Sequence, residues 1–203
     1  MNNRKQIFKG KVLLKGTLVN RIINIYNKGD FETNPDWYIE ASNFAKELSE
    51  KHQINYFKVC GIIAALSPLK NWDENKRITK LFLATGESKH TKLMTNKART
   101  ILTSLEDDTL HQTILDTLNG NKIKNFYINI AYPNNKEAVT IDRHALSICL
   151  NRSIKKVDYV GVTNIQYNFF AAAYIEASEI LGVLPCMVQA VTWEKWRELK
   201  KLN

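Results

Sequence analysis

Three residues in the middle of the chain have the types and spacing to do chemistry together. Lys122 and Lys124 follow a turn, Asn119-Gly120-Asn121, and eighteen residues after Lys124 stands Asp142, in Val139-Thr140-Ile141-Asp142-Arg143-His144. An amine held partly neutral can attack an electrophilic carbon such as the C1′ of a sugar. A carboxylate beside it can orient water or stabilise oxocarbenium character. The two lysines point about 200° apart on a helix, so one of them at most can face a shared site. A second reading of Asp142 is a helix N-cap ahead of Ala145-Leu146. His144 completes an Asp-x-His pattern, but no second histidine or cysteine lies close by in sequence, so a structural hydrogen bond is favoured over a metal ligand.

Positioning these groups requires helices, and the periodicity supplies them. Helical segments are predicted at 17–27, from Trp37 to Leu48, at 55–66, 72–84, 96–105, 109–118, 122–131, from Asp142 to Leu150, at 165–181, and from Pro185 onward. Ser67-Pro68, Gly86 and Gly182 end three of them, and Pro185 suits the first turn of the last. No alternating strand pattern is evident, which predicts an all-α fold. In the helix after the turn, Phe126 is expected to pack inward with Ile123 and Ile130. Trp193 and Trp196 read as core.

The chain has 203 residues, 44% hydrophobic and 24% charged, a composition that argues against disorder. Its 29 Lys+Arg against 20 Asp+Glu give a net charge of +9, which favours a polyanionic partner. Residues 51–100 hold ten Lys/Arg and three acids, and residues 1–15 hold five and none, whereas 101–150 hold four against six. The longest apolar run, Val59–Leu66, is far short of the roughly twenty residues a bilayer span needs, so no membrane role is expected. The first residues lack the continuous apolar run of a signal peptide. Cys60, Cys149 and Cys186 are scattered and odd in number, as in reduced, buried thiols of a cytoplasmic protein.

Four segments in order carry a family resemblance. Leu118-Asn119-Gly120-Asn121-Lys122-Ile123-Lys124 is similar to a hairpin L-P-G-[VI]-G-x-K, and Ile141-Asp142-Arg143-His144 to a following V-D-T-H. Upstream, Ala65-Leu66-Ser67-Pro68 with Trp72 and Asn75-Lys76 is similar to L-L-S-A-Q…N-K, and Asn96 to Leu102 to S-K-A-E-N-I-I. Together they cover about residues 57–152 and resemble the helix-hairpin-helix (HhH-GPD) superfamily of base-excision DNA glycosylases, of the endonuclease III type. The whole chain also resembles uncharacterised small bacteriophage proteins sharing the A-L-S-P…W…N and V-T-I-D-R features.

The resemblance implies a two-lobed helical fold over 1–203. One lobe spans about 40–135 and ends in the helix-hairpin-helix (109–131); residues 1–39 and 136–203 form the other. It implies a monomer that binds double-stranded DNA in the cytoplasm (of a bacterial host, if phage-encoded), flips one base into the cleft between the lobes and breaks its N-glycosidic bond. Asp142 takes the position of the catalytic aspartate, and Lys124, without a gap, that of the nucleophilic lysine. Shortening the hairpin by two residues puts Lys122 there instead. Gly120, Asn121, Lys122, Arg143, Lys70, Lys76 and Lys97 are the expected DNA contacts. Ser67, Pro68, Trp72 and Asn75 are the expected base pocket, with core packing the other reading of Trp72. No metal or cofactor is expected.

The hairpin departs from the pattern in lacking its proline and second glycine. Pro68 stands where a glutamine often enters the duplex, and the iron–sulfur cysteines are absent. Two other functions therefore stand beside base excision: a catalytically inactive phage protein that binds DNA or inhibits, and a glycosylase-derived enzyme of phage DNA hypermodification acting on a base or nucleotide.

Overall fold

A computed structural model describes residues 4–29, 33–155 and 161–201. It is mostly helical, with ten helices and one two-stranded hairpin among the described residues. The chain divides into two compact units. The terminal unit joins Met1–Tyr38 to Asn134–Asn203, and the central unit is Ile39–Pro133.

The hairpin corrects the expectation of a chain without strands. β1 (Lys5–Phe8) pairs antiparallel with β2 (Lys11–Leu14), Phe8 opposite Lys11. The turn residues Lys9 and Gly10 both have positive φ, 48° and 74°, as tight two-residue hairpins require. Phe8 is the one fully buried residue of the two strands, so no alternating pattern marks them. Its ring meets Phe170 edge-on at 5.5 Å.

In the terminal unit, α1 (Lys15–Tyr26) buries Leu18, Val19, Ile22 and Ile25, one helical face. That face packs against α8 (Arg143–Leu150), α9 (Asn164–Leu181) and α10 (Pro185–Lys201). The resulting core includes Leu146, Ile148, Phe170, Tyr174, Val188 and Trp196. Trp196 is buried while Trp193 is only partly covered. α9 opens with a reciprocal Thr163–Gln166 capping box and closes at Gly182, whose φ of 69° is left-handed. Among the described residues no single helix is long and apolar enough to cross a membrane.

The central unit is organised around α3 (Tyr56–Ala65), buried continuously from Lys58 to Ala65. α2 (Trp37–His52) leads into it. α4 (Trp72–Thr85), α5 (Lys92–Thr103), α6 (Leu110–Leu118) and α7 (Asn121–Ala131) all pack on α3. Gly61 permits the closest approach: a Cβ there would lie 2.9 Å from Ile114 Cγ2 and 3.1 Å from Ile101 Cγ2. Lys58, though buried, reaches Glu106 at 2.9 Å and donates to the Leu102 carbonyl at 3.1 Å.

Candidate functional site

In the central unit α6 and α7 are joined by a tight turn. Asn119 (φ 52°, ψ 138°) and Gly120 (φ 79°, ψ 133°) make the reversal. Nothing would crowd a Cβ at Gly120, so glycine is needed there for its backbone conformation. Gly120 offers no side-chain cap to α7. An uncapped helix start presents backbone N–H groups and the positive end of the helix dipole, an arrangement that suits a phosphate.

Lys97 is used differently from a surface phosphate contact: its Nζ donates to the Leu118 carbonyl at 2.9 Å, closing α6 just before the turn. Lys122 is exposed and Lys124 half-buried. Tyr127, not Phe126, is the fully buried aromatic of α7, which corrects the sequence expectation. Its hydroxyl meets His111 Nδ1 at 3.0 Å and ties α7 to α6. Tyr127 shares the buried face with Ile130 and Ala131, and a phenol can bury its ring there and still satisfy its oxygen. Burial pushes the Tyr127 hydroxyl far above the usual tyrosine range.

Asp142 belongs to the terminal unit. The strand-like run ahead of it, Val139–Ile141, is buried and clamped by one hydroxyl: Tyr167 Oη accepts from Ile141 N–H at 3.0 Å and donates to the Val139 carbonyl at 2.7 Å. Asp142 then caps α8, its Oδ1 accepting from the N–H groups of His144 and Ala145, each at 2.8 Å. No described residue bonds Oδ2, and the side chain is half-buried. Behind it lies the buried Tyr174, whose hydroxyl is pushed well above its ordinary range by burial, with Cys149 and Asp142 adding to the effect. Arg143 Nη1 donates to the Ile154 carbonyl at 3.0 Å, and its Nη2 lies 3.1 Å from His144 Nε2. Tyr167 was not apparent from sequence because the clamp joins residues twenty-six and twenty-eight positions apart.

The four expected pocket residues lie in the central unit and are used unequally. Ser67 Oγ donates to the Ala64 carbonyl, and the Pro68 carbonyl meets His90 Nε2. Asn75 is buried, its Nδ2 donating to the Ile63 carbonyl at 3.1 Å, so it joins α4 to α3. Trp72 is half-buried, edge-on to Phe44 at 5.7 Å, with the Lys76 ammonium 5.7 Å from its ring. Between Pro68 and Lys70 stands Leu69, 79% exposed and at φ 63°. A leucine in a left-handed conformation is strained, and nothing in the local sequence pattern singles it out. Lys70 and Lys76 are ion-paired to Glu74 (3.7 Å) and Asp73 (3.0 Å).

Among the described residues no cluster of three or more His, Cys, Asp or Glu could hold a metal ion. The three thiols are buried and none is joined in a disulfide. Burial raises Cys60 to about 12 and Cys186 to about 11, so neither is a thiolate near neutrality.

Fold and site together define a mostly helical protein of two units, one with a tight turn between α6 and α7 and the other with an aspartate-capped helix preceded by a clamped segment. The chain belongs to a family of unknown function, DUF7178, whose profile matches residues 5–200. No curated protein and no solved structure matches it.

Proposed function

We propose that this protein is a DNA N-glycosylase of the helix-hairpin-helix (HhH-GPD) type, acting on double-stranded DNA. The observation that carries the reading is the order of parts along the chain. An uncapped hairpin at Asn119-Gly120 is followed by the clamped run Val139–Ile141, and then by Asp142 with one carboxylate oxygen fixed and the other unbonded. The hairpin N–H groups hold a backbone phosphate, and Lys122 adds charge there. Leu69, exposed beside Pro68, enters the base stack where Pro68 cannot.

At the flipped nucleotide, Asp142 Oδ2 stabilises the oxocarbenium character of the sugar and takes a proton from water. The water oxygen bonds to C1′ as the C1′–N bond breaks, and the base leaves with the bonding pair and a proton. If Lys124 or Lys122 attacks instead, its nitrogen bonds to C1′, the base leaves, and the ring opens to an imine that borohydride reduces to a stable amine.

The test incubates the protein with duplexes carrying uracil, oxidised or hypermodified bases, with and without borohydride. Release of a base by the wild type and its loss in Asp142→Asn are expected, and Leu69→Ala should lower release on duplex more than on single strands. Covalent trapping that disappears in Lys124→Gln or in Lys122→Gln identifies the nucleophile. No release from any duplex refutes the reading. DNA binding indifferent to Asp142→Asn then identifies the non-catalytic binder, and turnover of a free nucleotide alone identifies the modifying enzyme.

A further inference from the structure

Anions are attracted most by cations that no carboxylate already neutralises. In the basic stretch 51–100, Lys58, Lys70, Lys76, Arg77 and Arg99 are each ion-paired with a glutamate or aspartate. The terminal unit holds a different arrangement. A cavity of about 240 Å³ lies between the start of α8 and the end of α10, and Arg143, Arg197, Lys200 and Lys201 all line it. Among the described residues no aspartate or glutamate lines it and none of the four cations is ion-paired.

The cations are also held in place. The Trp193 ring meets His144 roughly at right angles (5.9 Å) and carries the Arg197 guanidinium 4.5 Å from its centre. The Lys200 ammonium rides 4.7 Å from the Trp196 ring. Arg143 is anchored through the Ile154 carbonyl and keeps donors in hand, since a guanidinium has five. The Ser147 hydroxyl donates to the Arg143 carbonyl (2.7 Å) and accepts from Ile154 N–H (3.1 Å), fixing the floor.

Lysines in the last turn of α10 complement its helix dipole, which accounts for Lys200 and Lys201. It does not account for Arg143 on another helix, nor for Arg197 stacked in place. Four like charges around one hollow repel one another, and an anion between them removes that cost. Two planar forks and two point charges suit a phosphate.

We propose that this cavity is a phosphate-binding site in which Arg143 and Arg197 grip the oxygens and Lys200 and Lys201 supply charge. The phosphate belongs either to a nucleic acid strand or to a free nucleotide. Only the choice of source rests on the DNA reading.

Binding of four probes tests this: inorganic phosphate, a deoxynucleoside monophosphate, and one duplex with 5′-phosphate or 5′-hydroxyl ends. The double variant Arg197→Gln/Lys200→Gln should weaken the phosphate-bearing ligands tenfold or more. It should also lower the slope of log K against log salt by about 2 for duplex. The charge-keeping Arg197→Lys/Lys200→Arg should retain most of the affinity, which separates loss of charge from loss of fold. Arg77→Gln/Arg99→Gln, at ion-paired positions, should change affinity less than twofold.

Monophosphate competing fully with duplex assigns the free nucleotide as source, and preference for duplex assigns the strand; either upholds the site. Undiminished binding of every probe by Arg197→Gln/Lys200→Gln, or an equal loss in Arg77→Gln/Arg99→Gln, overturns it. Base release is followed in the same samples. Binding lost in the double variant with no base released by the wild type upholds this site and removes the glycosylase reading. Base release with undiminished binding does the reverse.

Discussion

Asp142 has a structural duty that must be separated from any chemical one, and two substitutions do this. Its Oδ1 accepts two N–H bonds at the start of α8, a helix that carries the buried Ala145, Leu146, Ile148 and Cys149. Alanine removes the acceptor and the charge together. Loss of a side-chain N-cap costs about 0.5–2 kcal/mol, and loss of a negative charge at a helix N-terminus about 0.3–1 kcal/mol more. Asp142→Ala should therefore cost about 2 kcal/mol, a fall in Tm of roughly 4–8 °C for a chain this long. Asn is as good an N-cap as Asp, so Asp142→Asn should lose only the charge contribution, about 0.5 kcal/mol. Urea unfolding followed by circular dichroism reads both, beside base release. Equal destabilisation by Asn and Ala would refute the cap argument. A folded Asp142→Asn protein that releases bases at the wild-type rate would refute the chemical role.

Tyr167→Phe strips the clamp from Val139–Ile141 and leaves a buried N–H and a buried carbonyl unpaired; a cost of about 1–3 kcal/mol is expected in chemical denaturation, and a loss under 0.5 kcal/mol would mean the run is held some other way. Gly61→Ala places a methyl against Ile114 and Ile101 Cγ2 atoms that are fixed to their own Cβ atoms. Overpacking of about 1–3 kcal/mol should exceed the helix-propensity gain of about 1 kcal/mol, so the variant melts lower; an unchanged or higher Tm would show that α3 has slack. Folded Cys60 and Cys186 hold their protons to about 12 and 11 against an ordinary 9.0, so the native state binds protons that the unfolded chain has lost. Stability is then full below pH 9 and falls as pH rises from there through 11 to 12, which denaturant midpoints across that range should follow. Rapid alkylation of native protein at neutral pH would contradict the burial of these thiols.

Much of the architecture was legible because its signals are local. Gly86 and Gly182 end helices by adopting left-handed conformations, Pro185 opens one, and Asn119-Gly120 turns between two; each acts within a few residues of itself. The N-cap role of Asp142 was open to the same reading, since its partners are two and three residues away. The β1–β2 hairpin was not legible: four-residue strands with one buried side chain carry no alternation, and Lys9-Gly10 is not the usual turn pair. Tyr127 rather than Phe126 takes the fully buried position of α7, in helical register with Ile130 and Ala131, and its hydroxyl meets His111, sixteen residues earlier.

The sequence by itself determined a helical chain, its breaks, its excess of positive charge and the aspartate at a helix start. Tertiary structure alone decided which of those charges are neutralised and which converge. Ion pairs at 51–100 include neighbours on one helix turn, as in Asp73–Lys76 and Glu74–Arg77, and these fix which cations the acids neutralise. Arg143 and Lys200 are fifty-seven positions apart and meet around one cavity because α8 and α10 pack on the same core. Net charge sums over the whole chain, whereas a phosphate responds to the few cations within a Debye length that have no nearer partner.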